Sequence, residues 1–365
     1  MKAGVVEALN KVVVREVPDS VVTPGSVKVK VHACAVCGSD IRIFTQGDPR
    51  AQLPQIIGHE IAGEIVEVGA AVSTKFHVGQ RVCVAPIHGC NRCVYCRRGK
   101  GNLCINPQPS IGYASSGGFA QYIVPPESVV DAGGVNSIPD NVTYAEAAMS
   151  ELLATCINAQ EKLRITSNDT VLIMGAGPAG CMHAQLARSK GANKIIMTQR
   201  STARLELCKR FDPDVVINSV EESLCDRVKE ETDGLGADVI IVAAPSAEAQ
   251  EHALDLVAPA GRISFFGGLP KGHHMITISG NTIHYRECEI FGASSSLGRQ
   301  NREALSLISS GAIHARDYIT HRFALDDIGE AFRTVQEKLG LKVVVFPWGV
   351  ESGFESSVSG NGQSS

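Results

Sequence analysis

The pattern of apolar and polar positions divides the chain into two regions. Up to about residue 150, short apolar runs are broken by Gly and Pro, as in SVKVKVHA, IAGEIVEVG and RVCVAP. Alternation such as VKVKV is typical of half-buried strands, so this region is predicted to be mostly β.

From Thr170 the pattern becomes a repeat of strand, turn and helix. Six strands are predicted, in TVLIMGAG, KIIMTQ, DVVINS, ADVIIVAAP, GRISFFGG and CEIFGASSS. Predicted helices lie between several of them: PAGCMHAQLARSKG, closed by Gly191; STARLELCKRF, with Ser201 as its cap; EESLCDRVKEETDG; and SAEAQEHALDLVAPAG. Strands separated by crossovers indicate an α/β fold with a doubly wound parallel sheet.

Beyond residue 292 the pattern predicts two more helices, in NREALSLISSG and LDDIGEAFRTVQEK, and a closing strand, KVVVFP. Residues 348–365 are rich in Ser and Gly, which predicts a disordered tail.

Composition narrows the class of protein. The 365 residues are enough for two domains, and 44% hydrophobic residues with a formal charge of −4 are typical of a soluble globular protein. No basic excess or run of 18 apolar residues indicates a nucleic-acid or membrane partner. Twelve cysteines without a secretory signal favour a reducing compartment, so we expect a cytoplasmic protein whose clustered thiols bind metal.

Four cysteines in residues 88–106 form the first motif. Cys90, Cys93, Cys96 and Cys104 are spaced C-x2-C-x2-C-x7-C, which lets four thiolates converge on one tetrahedral ion. The spacing fits neither common iron–sulfur pattern. Such a site has no open position, so it predicts a structural zinc; the alternative is unpaired loop cysteines.

A second, dispersed set of candidate ligands has one open position. Cys37 in VCGSD and His59 with Glu60 in GHE supply a thiolate, an imidazole and a carboxylate for a catalytic zinc. Glu151 stands in the apolar stretch AAMSELLATCINA, where an unpaired carboxylate is costly. Each residue also has an explanation that involves no metal. Cys37 could be a buried cysteine, His59 a hydrogen-bonded histidine and Glu60 a solvated surface residue. Glu151 could be an acid at the start of a helix.

The third motif is a glycine-rich turn between a strand and a helix. In VLIMGAGPAG, Gly175 permits the tight turn, Gly177 lets the backbone approach a pyrophosphate, and Gly180 lets helix and strand pack closely. Pro178 suits the first helical turn. The sequence therefore predicts a dinucleotide site, to which Ala179, Ala244, Gly267 and Gly292 are assigned as further contacts.

The end of the next strand bears on the choice of dinucleotide. Gln199 stands where NAD sites usually have Asp or Glu, and Arg200 and Arg204 follow. A neutral amide and two guanidiniums suit a 2′-phosphate, which favours NADP over NAD. The alternative is that both arginines lie on a solvated helix face.

Together these residues resemble one family, the zinc-dependent medium-chain alcohol and polyol dehydrogenases. The elements CGSD, GHE, GQRV, the four-cysteine lobe, GGFAQY, the later glutamate and GAGPAG occur in the family's order over residues 1 to about 347. The resemblance implies a GroES-like catalytic domain (1–150 and 292–347), a Rossmann cofactor domain (151–291), two zinc ions per chain and a homodimer or homotetramer. Glu151, where alcohol dehydrogenases have Cys, implies the polyol branch.

The sequence departs from the family pattern in three features. Leu152 replaces the proline that usually follows this glutamate in the polyol branch. Arg42 stands where the family places the histidine that ends the proton relay, and arginine cannot accept a proton. Ser295 and Ser296 occupy the place of the Arg-Tyr pair of sorbitol dehydrogenases.

The implied reaction is reversible hydride transfer between a secondary alcohol of a polyol, cyclitol or sugar and NAD(P). Ser39 is expected to accept the hydroxyl proton, and Tyr113 and Phe119 to line the pocket or to belong to the core. The alternatives are a threonine-like amino-alcohol or aryl-alcohol dehydrogenase, a zinc-free quinone reductase, and a nucleotide-sensing protein without catalysis.

Overall fold

A computed structural model describes residues 1–106 and 108–350. These residues form two compact units. The first contains Met1–Glu151, Ser296–Ser309 and the described chain from His314, and the second contains Leu152–Ser295 and Ser310–Ile313. Most of the predicted tail, residues 351–365, lies outside the described residues.

The strands of the described chain are β1 Lys2–Ala8, β2 Lys11–Glu16, β3 Val27–Ala35, β4 Gln55–Ile56, β5 Glu60–Val68, β6 Arg81–Val84, β7 Tyr122–Ile123, β8 Val135–Ser137, β9 Thr170–Met174, β10 Lys194–Gln199, β11 Val215–Asn218, β12 Ala237–Val242, β13 Val257–Phe265, β14 Glu289–Gly292, β15 Ile319–Ala324 and β16 Lys342–Phe346.

The α-helices are α1 Gly38–Gln46, α2 Val94–Arg97, α3 Glu127–Asp131, α4 Tyr144–Ala148, α5 Ser150–Leu163, α6 Pro178–Ser189, α7 Thr202–Cys208, α8 Leu224–Glu231, α9 Ala247–Leu256, α10 Gly280–Arg286, α11 Gly298–Ser309 and α12 Ile328–Gln336. Short 3-10 turns lie at Ala70–Val72, Gly101–Leu103, Lys209–Phe211, Ala315–Tyr318 and Leu325–Asp327.

The first unit is built on β-sheet, as the alternation in its sequence predicts. Its larger sheet has the order β15-β16-β3-β5-β6-β8, with β7 also paired to β3, and a smaller sheet has the order β2-β1-β4. The first-unit core combines apolar residues from β3, β5 and β6, such as Val29, Ile61 and Val82, with Phe332 of α12. In the larger sheet, β16 from the end of the chain therefore lies beside β3 from its beginning.

The second unit is the predicted doubly wound sheet. Its strands are all parallel and have the order β11-β10-β9-β12-β13-β14. The order reverses between β9 and β12, and such switch points are where open α/β sheets bind ligands at the carboxyl ends of their strands. The glycine turn after β9 lies at this edge.

Three local predictions differ from the structure. The helix predicted through SAEAQEHALDLVAPAG ends at Leu256, because Pro259 has no amide donor and Ala260 has a positive φ of 56°. Strand β15 and helix α10 lie in sequence stretches where no element was predicted, since neither stretch has a sustained apolar period. Ser201 does precede α7, but its side chain makes no capping hydrogen bond.

Gly191 closes α6 as predicted, with a φ of 89° just past the last helical turn. Within the described residues, no helix is both long enough and apolar enough to cross a bilayer.

Candidate functional site

The structure brings the four lobe cysteines together. One sulfur from each of Cys90, Cys93, Cys96 and Cys104 lies within 4.8 Å of every other. The Sγ of Cys93 is 3.4 Å from that of Cys96 and 3.9 Å from that of Cys104. A side chain at Gly89 would come within 2.5 Å of the Cys96 sulfur, so glycine is needed for this close packing. Four converging sulfurs are the donor set that a tetrahedral zinc ion requires.

Amide groups of the lobe point at these sulfurs. The backbone N–H of Cys96 donates to Cys93 Sγ at 3.5 Å, and the Asn106 side-chain amide donates to Cys90 Sγ at 3.5 Å. The hydrogen bond from Asn106, followed by that from the Arg92 backbone, lowers the pKa of the Cys90 thiol to about 5. A lowered thiol pKa favours the thiolate, the form that binds metal.

The dispersed candidates also converge. Ligand atoms of Cys37, His59 and Glu60 all lie within 4.8 Å of one another, and both His59 and Glu60 are buried. The sheet register explains the approach, because Ala35 at the end of β3 pairs with Glu60 at the start of β5. Cys37, two residues beyond β3, therefore reaches residues that are more than twenty positions later in the sequence.

Asp40 orients two of these ligands, a role that sequence reasoning missed. It is fully buried, its Oδ1 is 3.1 Å from His59 Nδ1, and its Oδ2 accepts the backbone N–H of Cys37 at 2.9 Å. Burial is the largest single influence and disfavours the charged imidazole, but the charge and hydrogen bond of Asp40 together with those of Cys37 outweigh it and raise the pKa of His59. A carboxylate on Nδ1 leaves Nε2 as the metal-binding nitrogen. Ser39 Oγ is 3.4 Å from that nitrogen.

Lys342, at the start of β16, is a second residue that sequence reasoning missed. It is 3% exposed, and its ammonium is 2.7 Å from Glu60 Oε1 and 2.5 Å from Oε2. It also donates to the carbonyl of Val36 at 3.2 Å. Burial is the largest single influence and opposes the charge of Lys342, but the combined attraction of Glu60, Cys37 and Glu151 outweighs it and raises the pKa of Lys342. Both oxygens of the Glu60 carboxylate therefore lie within ion-pair distance of Lys342, although Oε2 makes no aligned hydrogen bond.

Glu151 lies near this cluster but is not among the ligand atoms that the described structure brings within 4.8 Å. It stands in the first turn of α5 and is 7% exposed. Burial is the main cause that raises its pKa to about 7, His59 opposes the shift, and the charge of Glu60 adds to it. The preceding Ser150 accepts a hydrogen bond from the Asn301 side chain at 3.0 Å, which ties the start of α5 to α11.

The predicted glycine turn has the geometry of a dinucleotide cradle. Gly175 has a φ of 118°, and a side chain on Gly180 would come within 1.8 Å of the Gly175 carbonyl oxygen. Gly177 is the N-cap of α6, and Pro178 and Ala179 form its first turn. The backbone N–H groups at this helix start are thus accessible to an anion.

Arg204 reaches this turn. A side chain on Gly177 would come within 2.9 Å of Arg204 Nη1, and the buried Nε of Arg204 has no hydrogen-bond partner. Burial lowers the pKa of this guanidinium. A buried donor without a partner beside a glycine cradle fits a phosphate of the cofactor.

The other ribose candidates lie at the end of β10. The Gln199 side chain accepts the backbone N–H of Arg200 at 2.7 Å, and Arg200 Nη1 is 3.7 Å from the Glu248 carboxylate. Gln199 and Arg200 therefore lie at the end of β10, where the sequence predicts the ribose contacts. Arg200 is also close to the acidic side chain of Glu248.

The remaining cofactor candidates border the same strand ends. A side chain on Gly267 would come within 2.5 Å of the Ala244 carbonyl oxygen, so these two turns are in close contact. Gly292 ends β14, and its carbonyl accepts Lys162 Nζ at 2.7 Å.

The two aromatic candidates differ. Phe119 is fully buried and packs edge-on against Phe332, as expected if it belongs to the core and does not line the pocket. Tyr113 is 6% exposed, and its ring centre is 5.6 Å from that of His59.

Comparisons with known proteins agree with this geometry. Residues 23–133 match the model of the alcohol dehydrogenase GroES-like domain, and residues 178–310 match that of the zinc-binding dehydrogenases. The chain is 34% identical to D-arabitol-phosphate dehydrogenase of Enterococcus avium (88% of this chain, 90% of the relative). It is 32% identical to sorbitol dehydrogenase of Halalkalibacterium halodurans (92% and 95%), and 34% identical to L-threonine 3-dehydrogenase of Pyrococcus horikoshii (88% and 91%).

Among the similar solved structures, one contains NADP and another contains NADH. A zinc-binding dehydrogenase from Sinorhizobium meliloti bound to NADP superposes with a TM-score of 0.88 at 29% identity (95% of this chain, 99% of that one). An alcohol dehydrogenase from Escherichia coli CFT073 in complex with NADH superposes with a TM-score of 0.85 at 30% identity (95% and 99%).

A parallel nucleotide-binding sheet joined in one chain to a β domain with two sets of zinc-type ligands defines a zinc-binding dehydrogenase. The chain belongs to the zinc-dependent medium-chain dehydrogenase/reductase family, and its relatives include dehydrogenases of the polyol branch.

Proposed function

We propose that this protein catalyses reversible hydride transfer between a secondary alcohol of a polyol, cyclitol or sugar and NAD(P). In this proposal the first unit carries the alcohol chemistry and the second unit holds the cofactor. The observation that carries it is the convergence within 4.8 Å of a half-buried cysteine sulfur with a buried imidazole and a buried carboxylate.

Cys37, His59 and Glu60 would hold a zinc ion, which would supply Lewis-acid polarisation of an alcohol oxygen, and bound NAD(P)⁺ would supply the hydride acceptor. The chain's own residues prepare this chemistry. Asp40 holds the His59 ring, and Lys342 holds the Glu60 carboxylate. In this proposal Ser39, whose Oγ is 3.4 Å from His59 Nε2, accepts the hydroxyl proton, and Glu151 acts as a further ligand or holds a water molecule.

We propose a second zinc ion at Cys90, Cys93, Cys96 and Cys104. Metal analysis of the purified protein should give two zinc ions per chain. A value of one would favour a nucleotide-binding protein that has kept only the structural site, and it would contradict the catalytic assignment.

The main experiment is NADP⁺- and NAD⁺-coupled oxidation of a panel of polyols, inositols and amino sugars. Turnover that is lost in Cys37→Ser supports the proposal, and the absence of turnover on every secondary alcohol contradicts it. L-threonine belongs in the panel, because the 34% identity to a threonine 3-dehydrogenase favours an amino-alcohol substrate as the second candidate.

NADP is the proposed cofactor, on the basis of Gln199 and Arg200 at the end of β10. Gln199→Asp combined with Arg200→Ala should shift the preference towards NAD, because a carboxylate repels a 2′-phosphate and accepts from a 2′-hydroxyl. The exposed Arg210 offers a matched control in Arg210→Ala. An unchanged NADP-to-NAD ratio in the double variant would show that the assignment is wrong.

Two further sequence predictions stay predictions, namely a homodimer or homotetramer and a cytoplasmic location. Light scattering of the purified protein measures the first directly.

A further inference from the structure

Two arginines close to the metal-ligand cluster share a single carboxylate. Arg50 forms a two-pronged ion pair with Asp48, with Nε–Oδ1 and Nη2–Oδ2 distances of 2.9 Å each. Its backbone N–H adds a third hydrogen bond to Oδ1 at 3.0 Å. The Asp48 carboxylate is therefore already fully engaged by one arginine. Its pKa is lowered to about 2, chiefly by the hydrogen bond from Arg50.

Arg42 is the second arginine. It stands on α1, three residues after Ser39, and its Nη2 is 3.6 Å from Asp48 Oδ2, too far for a hydrogen bond. Both arginine side chains are half exposed, while Asp48 is 7% exposed. Two guanidiniums against one carboxylate leave a net positive charge, and the donors of Arg42 are not used by Asp48.

This positive charge is linked to the metal-ligand cluster through one aromatic ring. The Arg50 guanidinium carbon lies 4.2 Å from the centre of the Tyr113 ring, and that ring centre is 5.6 Å from the ring of His59. The Arg50 guanidinium is therefore within about 10 Å of a candidate zinc ligand. Tyr113 thus touches both the arginine side and the catalytic side.

We propose that Arg42 and Arg50 form an anion subsite, so that the alcohol substrate carries a phosphate or a carboxylate that binds there while its hydroxyl group lies at the metal-ligand cluster. This inference rests on the proposed function and names its substrate class. Arginine suits the task because its planar fork binds phosphate and carboxylate through paired hydrogen bonds. A lysine or histidine at position 42 would offer no such fork.

The structure also explains why the two arginines contribute differently. Arg50 is held in place by Asp48 and Tyr113, so its orientation is set before a ligand arrives. The guanidinium N–H groups of Arg42 are not hydrogen-bonded to Asp48, so they can bind an anionic ligand. The variant Arg42→Gln therefore removes ligand contacts with little effect on the loop, whereas Arg50→Gln also releases Asp48.

The test compares substrates that differ only in the charged group. D-arabitol with its phosphate ester and sorbitol with sorbitol 6-phosphate form the phosphate arm, and L-threoninol with L-threonine forms the carboxylate arm. We expect the charged member of one arm to have a kcat/KM at least about 30-fold higher in the wild-type protein, from two charge-assisted contacts. Arg42→Gln should reduce that advantage at least about tenfold through KM.

The control is Arg15→Gln. Arg15 is likewise a half-exposed arginine of the first unit that pairs with a carboxylate, Glu7, at 3.2 Å. Its loss should leave the ratio of charged to neutral substrate unchanged. Arg42→Lys keeps the positive charge but lacks the paired N–H donors of a guanidinium. It should therefore retain only part of the kcat/KM advantage of the charged substrate over the neutral one.

Ligand binding measured by calorimetry separates this inference from the proposed function. Weaker binding of the phosphate ester or of threonine in Arg42→Gln, with neutral alcohols less affected, supports the subsite even without turnover. Oxidation of neutral alcohols with no charge advantage, or an advantage that survives in both Arg42→Gln and Arg50→Gln, overturns the inference alone. Failure of every alcohol to be oxidised would count against the proposed function and leave the binding result to decide the subsite.

Discussion

The two clusters of metal-type ligands in the first unit are built in opposite ways. The four cysteines lie within fifteen residues of one another and are held by local amides and a glycine contact. Cys37 follows the end of β3, His59 and Glu60 lie at the start of β5, and the supporting partner Lys342 is 282 residues from Glu60. The first cluster depends on its own loop, whereas the second depends on the order of a whole sheet.

This difference predicts different consequences when metal is lost. A loop with no core of its own depends on the metal for its order, because ligand convergence and folding are then one event. The buried cluster stands on strands that are packed without the metal, so its loss should affect chemistry more than fold.

The largest effect is expected for Cys93→Ser in the lobe. Structural zinc in small domains contributes about 10–16 kcal/mol of apparent binding energy, so residues 88–106 should lose their order and become sensitive to proteases. Limited proteolysis and metal analysis measure this, and Cys225→Ser, a half-buried cysteine outside both clusters, is the control. If residues 88–106 stay resistant to proteolysis after losing zinc, the proposed difference between the two ligand clusters is wrong.

Cys37→Ser should have the next largest effect. It should lower catalytic activity and leave the folded structure largely ordered. Removal of Lewis-acid stabilisation worth several kcal/mol corresponds to a fall in kcat/KM of at least about 10³-fold. The zinc content should fall from two to one, while the thermal midpoint changes less than in Cys93→Ser. A midpoint loss equal to that of the lobe variant would show that both sites are structural.

Lys342→Met tests the ion pair that supports the dispersed cluster. Removing one partner of a buried pair leaves Glu60 charged and unpaired, which typically costs about 3–5 kcal/mol of unfolding free energy. Adding Glu60→Gln should recover much of the stability without restoring activity. Chemical denaturation gives the values, and Lys194→Met, which breaks the more exposed pair with Glu231, should cost no more than about 1 kcal/mol. Equal losses for the two lysines would contradict this account.

The smallest effect is expected for Asn106→Ala. Its amide lowers the pKa of Cys90, so its removal should raise that pKa and weaken zinc retention less than about tenfold. Competition with a chelator across pH measures the change. Gln108→Ala is the control, since Gln108 donates to the Asn106 carbonyl and not to a sulfur.

The same contrast explains what could be predicted from the sequence. The four-cysteine cluster follows from spacing alone, and so does the glycine turn, because all of its parts lie within six residues after one strand. The parallel sheet also follows, since each strand and each crossover helix has its own apolar period.

The support of the dispersed cluster could not be predicted in this way. Lys342 looks like the polar start of a strand, and only the order β16-β3-β5 brings it to Glu60. Asp40 looks like an acid in the first turn of a helix, a frequent capping position. Arg204 was expected at the ribose, but its long side chain extends back to Gly177. In each case the missing information is the three-dimensional neighbour and not the residue type.

The position of Lys342 near the end of the chain also has a consequence for synthesis. At translation rates of about 5–20 residues per second, the ribosome adds Lys342 roughly 15–55 s after Glu60. All six strands of the nucleotide-binding sheet are made during that interval. All of the nucleotide-binding sheet is therefore synthesised before the buried carboxylate of Glu60 can pair with Lys342.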